Sequence, residues 1–247
     1  MISSLIRANA NESGVYLSLI YDEEQKPIFI KKSASSAKSI RKLKNEIKGA
    51  TWYQTNSDIN QISKIIELPN YYSIFFHFFN GKKANFRDGY WLNRSYIEKA
   101  LQGYCEIWSK LSQHENVIHG DYSIDNLIFT ENELIIIDWE HFTNINLPKG
   151  FDALNLIYEQ IYILSLKNMV CSNVILHANE MLERLKVRHC LDKIFFNSPL
   201  HTMQQYFLDN SYIWGKQLSK LPIMKFNKAE CNILDNKINL LNNYKTL

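Results

Sequence analysis

Two segments decide how this 247-residue sequence is interpreted: VIHGDYSIDN at residues 117–126 and IIIDWE at residues 135–140. Each joins a short apolar run to polar side chains, among them Asp121, Asn126 and Asp138. Phosphoryl transfer requires a carboxylate that orients and deprotonates the attacking hydroxyl, and oxygen ligands that hold Mg²⁺ against the triphosphate. These three side chains have the chemistry to fill both roles.

The residues between the two segments have the pattern of a β-hairpin. Apolar runs within Leu127–Ile137 flank a polar turn centred on Asn132. Asn126 and Asp138 are each six residues from the centre of that turn, so they are predicted to lie side by side across the two strands. The hairpin would then present an amide and a carboxylate to one metal site. Asp121 precedes it on a loop from which it could reach a phosphate acceptor.

The first third of the chain has the signature of a small sheet with one helix. Strand-like runs at Val15–Tyr21 and Pro27–Ile30, joined by a polar turn, predict a hairpin. Apolar residues recur at helical spacing over Ile40–Tyr53, which predicts an amphipathic helix. Two further strands are predicted at Ile62–Leu68 and Tyr71–Phe79, on either side of a Pro-Asn turn.

The rest of the chain is predicted to be mainly helical. Ser95–Glu98 matches a capping box that begins a helix, and beyond Phe151 apolar residues keep helical spacing almost to the end. The predicted fold class is therefore α+β. Its β-rich lobe would occupy residues 1–79, a hinge residues 80–86, and a helical lobe residues 87–247.

Both quoted segments resemble motifs of one family. HGDYSIDN is similar to the HGDxxxxN catalytic loop of the aminoglycoside phosphotransferase and choline kinase family, and IIIDWE is similar to that family's version of the kinase DFG segment. The resemblance implies a bilobal protein-kinase-like fold in which Asp121 is the catalytic base and Asn126 and Asp138 bind Mg²⁺. It also implies that ATP is the donor, that a small-molecule hydroxyl is the acceptor, and that His119 supports the loop.

The same resemblance places a phosphate-binding lysine in the small lobe. Ile28–Lys31 resembles the V-A-I-K strand of kinases, which makes Lys31 the ATP-binding lysine and Glu46, on the next helix, its partner. Lys32 points to the other face of the strand, so a register error of one would exchange the two roles. The sequence departs from the kinase pattern in its first loop, where residues 9–14 contain Gly14 but no G-x-G-x-x-G.

Composition bears on the binding partners, the state of the cysteines and the cellular location. The net charge of +3 is too small to suggest a nucleic-acid partner. The four cysteines are widely spread without a CxxC pair, which indicates reduced and mostly buried thiols. The N-terminus lacks the long apolar region of a secretory signal, so a cytoplasmic protein is expected.

Charge distribution bears on the acceptor and on other partners. Residues 31–48 contain seven Lys or Arg and one acidic residue, which suits either a solvated helix face or contact with an anionic membrane or glycolipid. Residues 143–247 contain twelve Lys or Arg and eight Asp or Glu. That excess of positive charge disfavours a polycationic aminoglycoside and favours a neutral or anionic acceptor, such as a sugar or a surface-glycan precursor.

Three functions are consistent with these residues. A small-molecule kinase is favoured over a protein kinase, because only eleven residues separate Glu140 from Asp152 and no APE motif follows. A nucleotide-binding pseudokinase would usually have lost its base or a metal ligand. A metal-dependent phosphohydrolase built on Asp121, Asp138 and nearby histidines would lack the additional clustered ligands of a two-metal site.

Overall fold

The computed structural model describes residues 2–9, 14–84, 90–111, 117–144, 148–166, 172–211 and 226–244. The protein is of mixed α+β class, as predicted, and it divides into two compact units. The first unit comprises Met1–Lys82, His119–Asp121 and Ile135–Thr143, and the second comprises Lys83–Ile118, Tyr122–Leu134 and Asn144–Leu247. Parts of both motif segments therefore fold together with the N-terminal sheet.

Strands dominate the first third of the chain and helices the remainder. The strands are β1 (Ile2–Asn9), β2 (Val15–Tyr21), β3 (Pro27–Ala34), β4 (Ile62–Leu68), β5 (Tyr71–His77), β6 (Val117–Ile118), β7 (Leu127–Phe129), β8 (Leu134–Ile136) and β9 (Thr143–Asn144). The α-helices are α1 (Ala37–Ser57), α2 (Tyr90–Trp108), α3 (Phe151–Leu166), α4 (Ser172–Val187), α5 (Pro199–Asp209) and α6 (Lys228–Tyr244). Short 3₁₀ helices lie at Ile124–Asn126, Trp139–His141 and Lys193–Phe195.

An antiparallel sheet organises the first unit, in the order β1-β2-β3-β5-β4. Strands β2 and β4 have the predicted bounds, and β5 ends two residues before the predicted Phe79. Strand β3 continues to Ala34, because it pairs with β5 as far as Tyr72. Strand β1 lies outside the predicted elements, and its pairing with β2 shifts in register between Leu5 and Arg7.

Helix α1 covers one face of this sheet. It begins at a reciprocal cap in which Ser39 N–H donates to Ser36 Oγ at 3.2 Å and Ser36 N–H donates to Ser39 Oγ at 3.3 Å. It extends beyond the predicted Ile40–Tyr53 at both ends. Leu43 of α1 is buried in a core with Ala34 of β3 and residues of β5. Truncating a buried leucine of this kind to alanine costs about 2–5 kcal/mol, so this packing holds α1 firmly on β3 and β5.

The second unit consists mainly of helices around buried aromatic rings. Tyr104 and Trp108 of α2 are stacked with ring centroids 4.5 Å apart. The Tyr122 hydroxyl donates to Ala100 O at 2.8 Å, which ties the segment after Asp121 to α2. Asp235 of α6 accepts backbone N–H groups at the start of α5. These contacts satisfy buried polar groups within the helical core.

The predicted start of α2 is wrong. The helix begins at Tyr90, so Ser95 lies inside it and cannot be its N-cap. Glu98 accepts a hydrogen bond from His177 Nε2 on α4 at 2.8 Å and from Arg94 Nε at 3.3 Å. Residues three apart are also neighbours on the surface of a continuing helix, so the S-x-x-E spacing alone does not distinguish a cap from a helix interior.

The hairpin between the two motif segments is confirmed. Strands β7 and β8 pair with each other, and Thr130 and Glu133 close the turn through Thr130 N–H donating to Glu133 O at 3.0 Å. Strand β6 pairs with β9.

The cysteines and the apolarity of the helices complete the description of the fold. Cys105, Cys190 and Cys231 are buried free thiols, as predicted, and Cys171 lies outside the described residues. Among the helices in the described segments, none has the length and apolarity needed to cross a bilayer.

Candidate active site

Three distant segments of the first unit meet at the side chain of Lys32. Its Nζ donates to Glu46 Oε1 of α1 at 2.5 Å and to Asp138 Oδ1, just after β8, at 2.8 Å. The Lys32 side chain is 15% exposed and that of Glu46 is 3% exposed. A buried carboxylate without such a cation would be strongly unfavourable, so Lys32 is the residue that allows Glu46 to occupy this position.

The pairing predicted for Lys31 is corrected to Lys32. Lys31 points to the opposite face of β3, where its Nζ lies 5.6 Å and 5.7 Å from the ring centroids of Phe75 and Tyr71. Successive residues of a strand project to opposite faces, so only one of two adjacent lysines can face α1. The register of β3 against β5, which pairs Lys32 with Ile74, selects Lys32.

Glu46 reaches the lysine because of its place on the helix. Ser39, Leu43, Glu46 and Ala50 are buried at spacings of three or four residues, which defines one face of α1. Glu46 is the charged member of this face. The predicted role of Glu46 as partner of a strand lysine is therefore matched by the geometry, although the lysine is the neighbouring one.

Asp138 occupies an unusual backbone conformation. Its φ of 65° lies in the left-handed region, immediately before the 3₁₀ helix at Trp139–His141. Such a conformation costs a non-glycine residue on the order of 1–3 kcal/mol and is characteristic of functional sites. The buried Trp139 ring stabilises the turn, since its Nε1 donates to Ile136 O at 2.9 Å. The Asp138 side chain remains 41% exposed, so it is accessible to a ligand.

The ionisation of these groups follows from burial and pairing. Burial opposes the charge on Lys32, but Glu46 and Asp138 outweigh it and raise the pKa of the ammonium. Burial also opposes ionisation of Asp138, and Lys32 overcomes it to lower the pKa of that carboxyl. Burial raises the pKa of Glu46 to about 7, against the opposing effect of Lys32. At neutral pH the site therefore contains a charged Lys32 and an ionised Asp138.

The loop that carries Asp121 is held by His119. The Asp121 N–H donates to His119 Nδ1 at 3.2 Å, so the ring proton resides on Nε2, which donates to Ile137 O at 2.9 Å. The ring is fully buried and its centroid lies 4.4 Å from that of Trp139. Burial lowers the pKa of His119 to about 4, so the ring is neutral. His119 therefore joins the two motif segments, in agreement with its predicted scaffold role.

Glycine is required between His119 and Asp121. Gly120 has a φ of 82°, and an added Cβ would lie 2.6 Å from His141 O. Both the conformation and the contact exclude a larger side chain. Asp121 itself is half-buried at the end of this loop, and its charge contributes to the raised pKa of His141.

The remaining predicted metal ligand is Asn126. It ends the 3₁₀ helix at Ile124–Asn126 and is half-buried in the second unit, whereas Asp138 belongs to the first. The shared metal site of Asn126 and Asp138 therefore stays a prediction.

Two amides that the sequence analysis does not single out fix the Asp138 segment. Asn45 Nδ2 donates to Glu140 O at 2.9 Å and to Phe142 O at 2.8 Å, and Gln61 Nε2 donates to Ile136 O at 2.6 Å. Asn45 directly precedes Glu46 on α1. Its role could be predicted from this position only if the contact between the Asp138 segment and α1 were already known. These amides are positioning residues, because each holds backbone rather than a reacting group.

Glu140 forms a second charged cluster beside Asp138. Its carboxylate is within 3.4 Å of Lys42 Nζ and 3.1 Å of His141 Nε2. The hydrogen bond with His141 lowers the pKa of Glu140, and despite burial the same bond raises the pKa of His141. Glu140 is thus paired with its own cationic partners, and Lys32 is bound by Asp138 and Glu46 instead.

The donor set can be tested against Mg²⁺ and ATP. Within the described residues, no group of three or more His, Cys, Asp or Glu side chains forms a ready-made metal cage. Mg²⁺ at phosphate-transfer sites is commonly held by one or two protein oxygens together with phosphate oxygens and water. An ionised, partly exposed Asp138 next to the Lys32 ammonium fits such a site. The pair would offer one anionic ligand to a metal ion and one cation to a phosphate.

Comparison with known proteins adds no family assignment. The sequence matches no protein-family model, and no curated protein resembles it at a significant level.

Proposed function

We propose that this chain is an ATP- and Mg²⁺-dependent small-molecule kinase of the bilobal protein-kinase-like type, acting in the cytoplasm. The observation that carries the proposal is the Lys32 ammonium, which is bound at once by Glu46 of α1 and by Asp138 of the IIIDWE segment. Three segments far apart in sequence converge on one buried cation. A purely structural salt bridge would not require the strained, partly exposed carboxylate of Asp138 as well.

The proposed roles follow from the chemistry of each group. Lys32 would contact the donor phosphates, with Glu46 as the positioning residue that holds the ammonium in place. Asp138 and Asn126 would bind Mg²⁺, which supplies charge neutralisation at the phosphates when it is present. Asp121 would accept the proton of the acceptor hydroxyl. The hydroxyl oxygen would form a bond to the γ-phosphorus while the bond from that phosphorus to the ADP oxygen breaks.

The carboxylates around Lys32 support this assignment. Glu46 and Asp138 share one ammonium, so the three groups together carry excess negative charge when both carboxyls are ionised. Asp138 would hold Mg²⁺, whose charge would offset that excess, and the Lys32 ammonium would then be available to a phosphate. The arrangement is consistent with a site completed by a metal–nucleotide complex.

The proposed acceptor is a neutral or anionic hydroxyl compound, such as a sugar or surface-glycan precursor. The excess of Lys and Arg over Asp and Glu in residues 143–247 supports it, because a polycationic drug would need the opposite balance. On α1, Lys38, Arg41 and Lys48 are exposed, which fits contact with an anionic membrane or glycolipid.

The deciding experiment measures ADP release with ATP, Mg²⁺ and a panel of sugars, amino alcohols, nucleosides and kanamycin-type compounds. Acceptor-dependent ADP release that is absent from Asp121→Asn supports the kinase. Nucleotide binding without turnover on any acceptor would instead support a pseudokinase. Hydrolysis of phosphate esters without ATP would identify a phosphohydrolase, and efficient phosphorylation of kanamycin at micromolar KM would overturn the acceptor class.

A further inference from the structure

A groove of about 240 Å³ lies between helices α2 and α4 in the second unit. One wall comes from the face of α2 that contains Lys99, and the other from the end of α4, where Arg184 and Arg188 follow each other by one helical turn. The Arg188 N–H donates to Arg184 O at 3.0 Å, so the helical geometry continues through both arginines. Three cationic side chains therefore border one groove.

These cations have no acidic partners in the described part of the chain. Lys99, Arg184 and Arg188 are exposed, and none of them is in an ion pair there. Glu98 also lines the groove, but its Oε1 accepts hydrogen bonds from His177 and Arg94. Counting Glu98, the groove carries two net positive charges. Surface arginines are usually satisfied by water or a carboxylate, whereas a concave set with an excess of positive charge matches an anionic ligand.

The floor of the groove is apolar. Leu101 and Cys105 of α2 and Met181 and Leu185 of α4 line it, and each is at most 6% exposed. A ligand seated there would contact hydrocarbon and sulfur below and charged groups at the rim. Ligand pockets commonly combine an apolar lining with a few converging polar groups in this way. The volume suits a small molecule more than a peptide or a lipid chain.

We propose that the α2–α4 groove binds a small organic phosphate monoester. The phosphate would lie between Arg184, Arg188 and Lys99, and its organic part would rest on the apolar floor. A phosphate monoester carries a charge between about −1.5 and −2 at pH 7, which matches the net charge of the groove better than a carboxylate does. Guanidinium groups also offer paired donors that fit phosphate oxygens.

The test is calorimetric titration of the full chain with phenyl phosphate, phenol and inorganic phosphate at low salt. Wild type is expected to bind phenyl phosphate more tightly than inorganic phosphate and phenol. Arg184→Gln/Arg188→Gln should weaken phenyl phosphate binding by about tenfold or more, because two charge-assisted contacts are lost. Lys193→Gln/Lys228→Gln removes two exposed cations of the same unit outside the groove and should leave the affinity unchanged.

Each alternative outcome overturns the proposal. Full-strength binding in Arg184→Gln/Arg188→Gln would show that the phosphate binds elsewhere, including at Lys32. No binding by wild type at millimolar phenyl phosphate would exclude the site. Equal affinity for inorganic phosphate would exclude a contribution from the apolar floor. Circular dichroism of both double variants verifies that they are folded, so a lost signal reports the groove.

Discussion

Replacing Lys32 by methionine tests the centre of the proposed active site. Methionine keeps an unbranched side chain of similar length but removes the ammonium that Glu46 and Asp138 share. Glu46 is 3% exposed and would be left as a buried carboxyl without a cation. Breaking a buried ion pair from one side costs about 3–5 kcal/mol. Lys31→Met is the matched control, since that ammonium lies on the opposite face of β3 over the Phe75 and Tyr71 rings, and its removal should cost about 1 kcal/mol or less.

The pH dependence of this cost distinguishes lost charge pairing from lost packing. The folded pKa of Glu46, about 7, lies above its usual value, so the folded state holds more protons than the unfolded state between about pH 4.5 and 7. Stability contributed by Glu46 is therefore lost as the pH rises through that window. Removing Lys32 raises the pKa of Glu46 further. The destabilisation of Lys32→Met should consequently be larger near pH 8 than near pH 5, by about 1.4 kcal/mol at most, because only the last pH unit lies above the wild-type pKa of about 7.

Urea unfolding of both variants at pH 5, 6, 7 and 8 measures these differences directly. The double variant Lys32→Met/Glu46→Leu should recover most of the lost stability at pH 8, because it replaces an isolated buried charge with apolar packing. A destabilisation of Lys32→Met that is the same at pH 5 and 8 would refute the reasoning. A larger effect of Lys31→Met would refute the assignment of Lys32.

Four further substitutions test the remaining roles. Asp121→Asn should reduce turnover by about 10²-fold or more with little change in ATP affinity, because its carboxylate acts on the acceptor; retained kcat would exclude it as the base. Asn126→Ala and Asp138→Ala should each raise the Mg²⁺ concentration needed for half-maximal activity. If a variant needs the same Mg²⁺ concentration as wild type, the replaced residue is not a metal ligand. Between pH 6.5 and 4 the folded state takes up fewer protons at His119 than the unfolded state does. The difference in unfolding free energy between wild type and His119→Gln should therefore shrink by about 3 kcal/mol as the pH falls from 6.5 to 4. A difference that stays constant over this range would contradict a buried neutral ring.

Local patterns in the sequence were sufficient for much of the fold. Alternating or continuous apolar runs predict β2 and β4 with their observed bounds, and helical spacing predicts the central turns of α1. The hairpin of β7 and β8 is equally local, because a polar turn between two short apolar runs admits few alternatives. The pairing of Glu46 with a strand lysine was predicted through the resemblance of Ile28–Lys31 to the V-A-I-K strand of kinases.

Only the tertiary structure decided which lysine fills the site. Lys31 and Lys32 are chemically identical neighbours, and a shift of one residue in the register of β3 exchanges the faces they occupy. Asn45 and Gln61 likewise gained their roles from backbone carbonyls more than seventy positions away, at Ile136, Glu140 and Phe142. Local sequence determines strands and helices because their hydrogen bonds and periodicities are short-range. The partners of a buried charge are set by packing between segments that are distant in the chain. Local sequence patterns therefore cannot predict those partners.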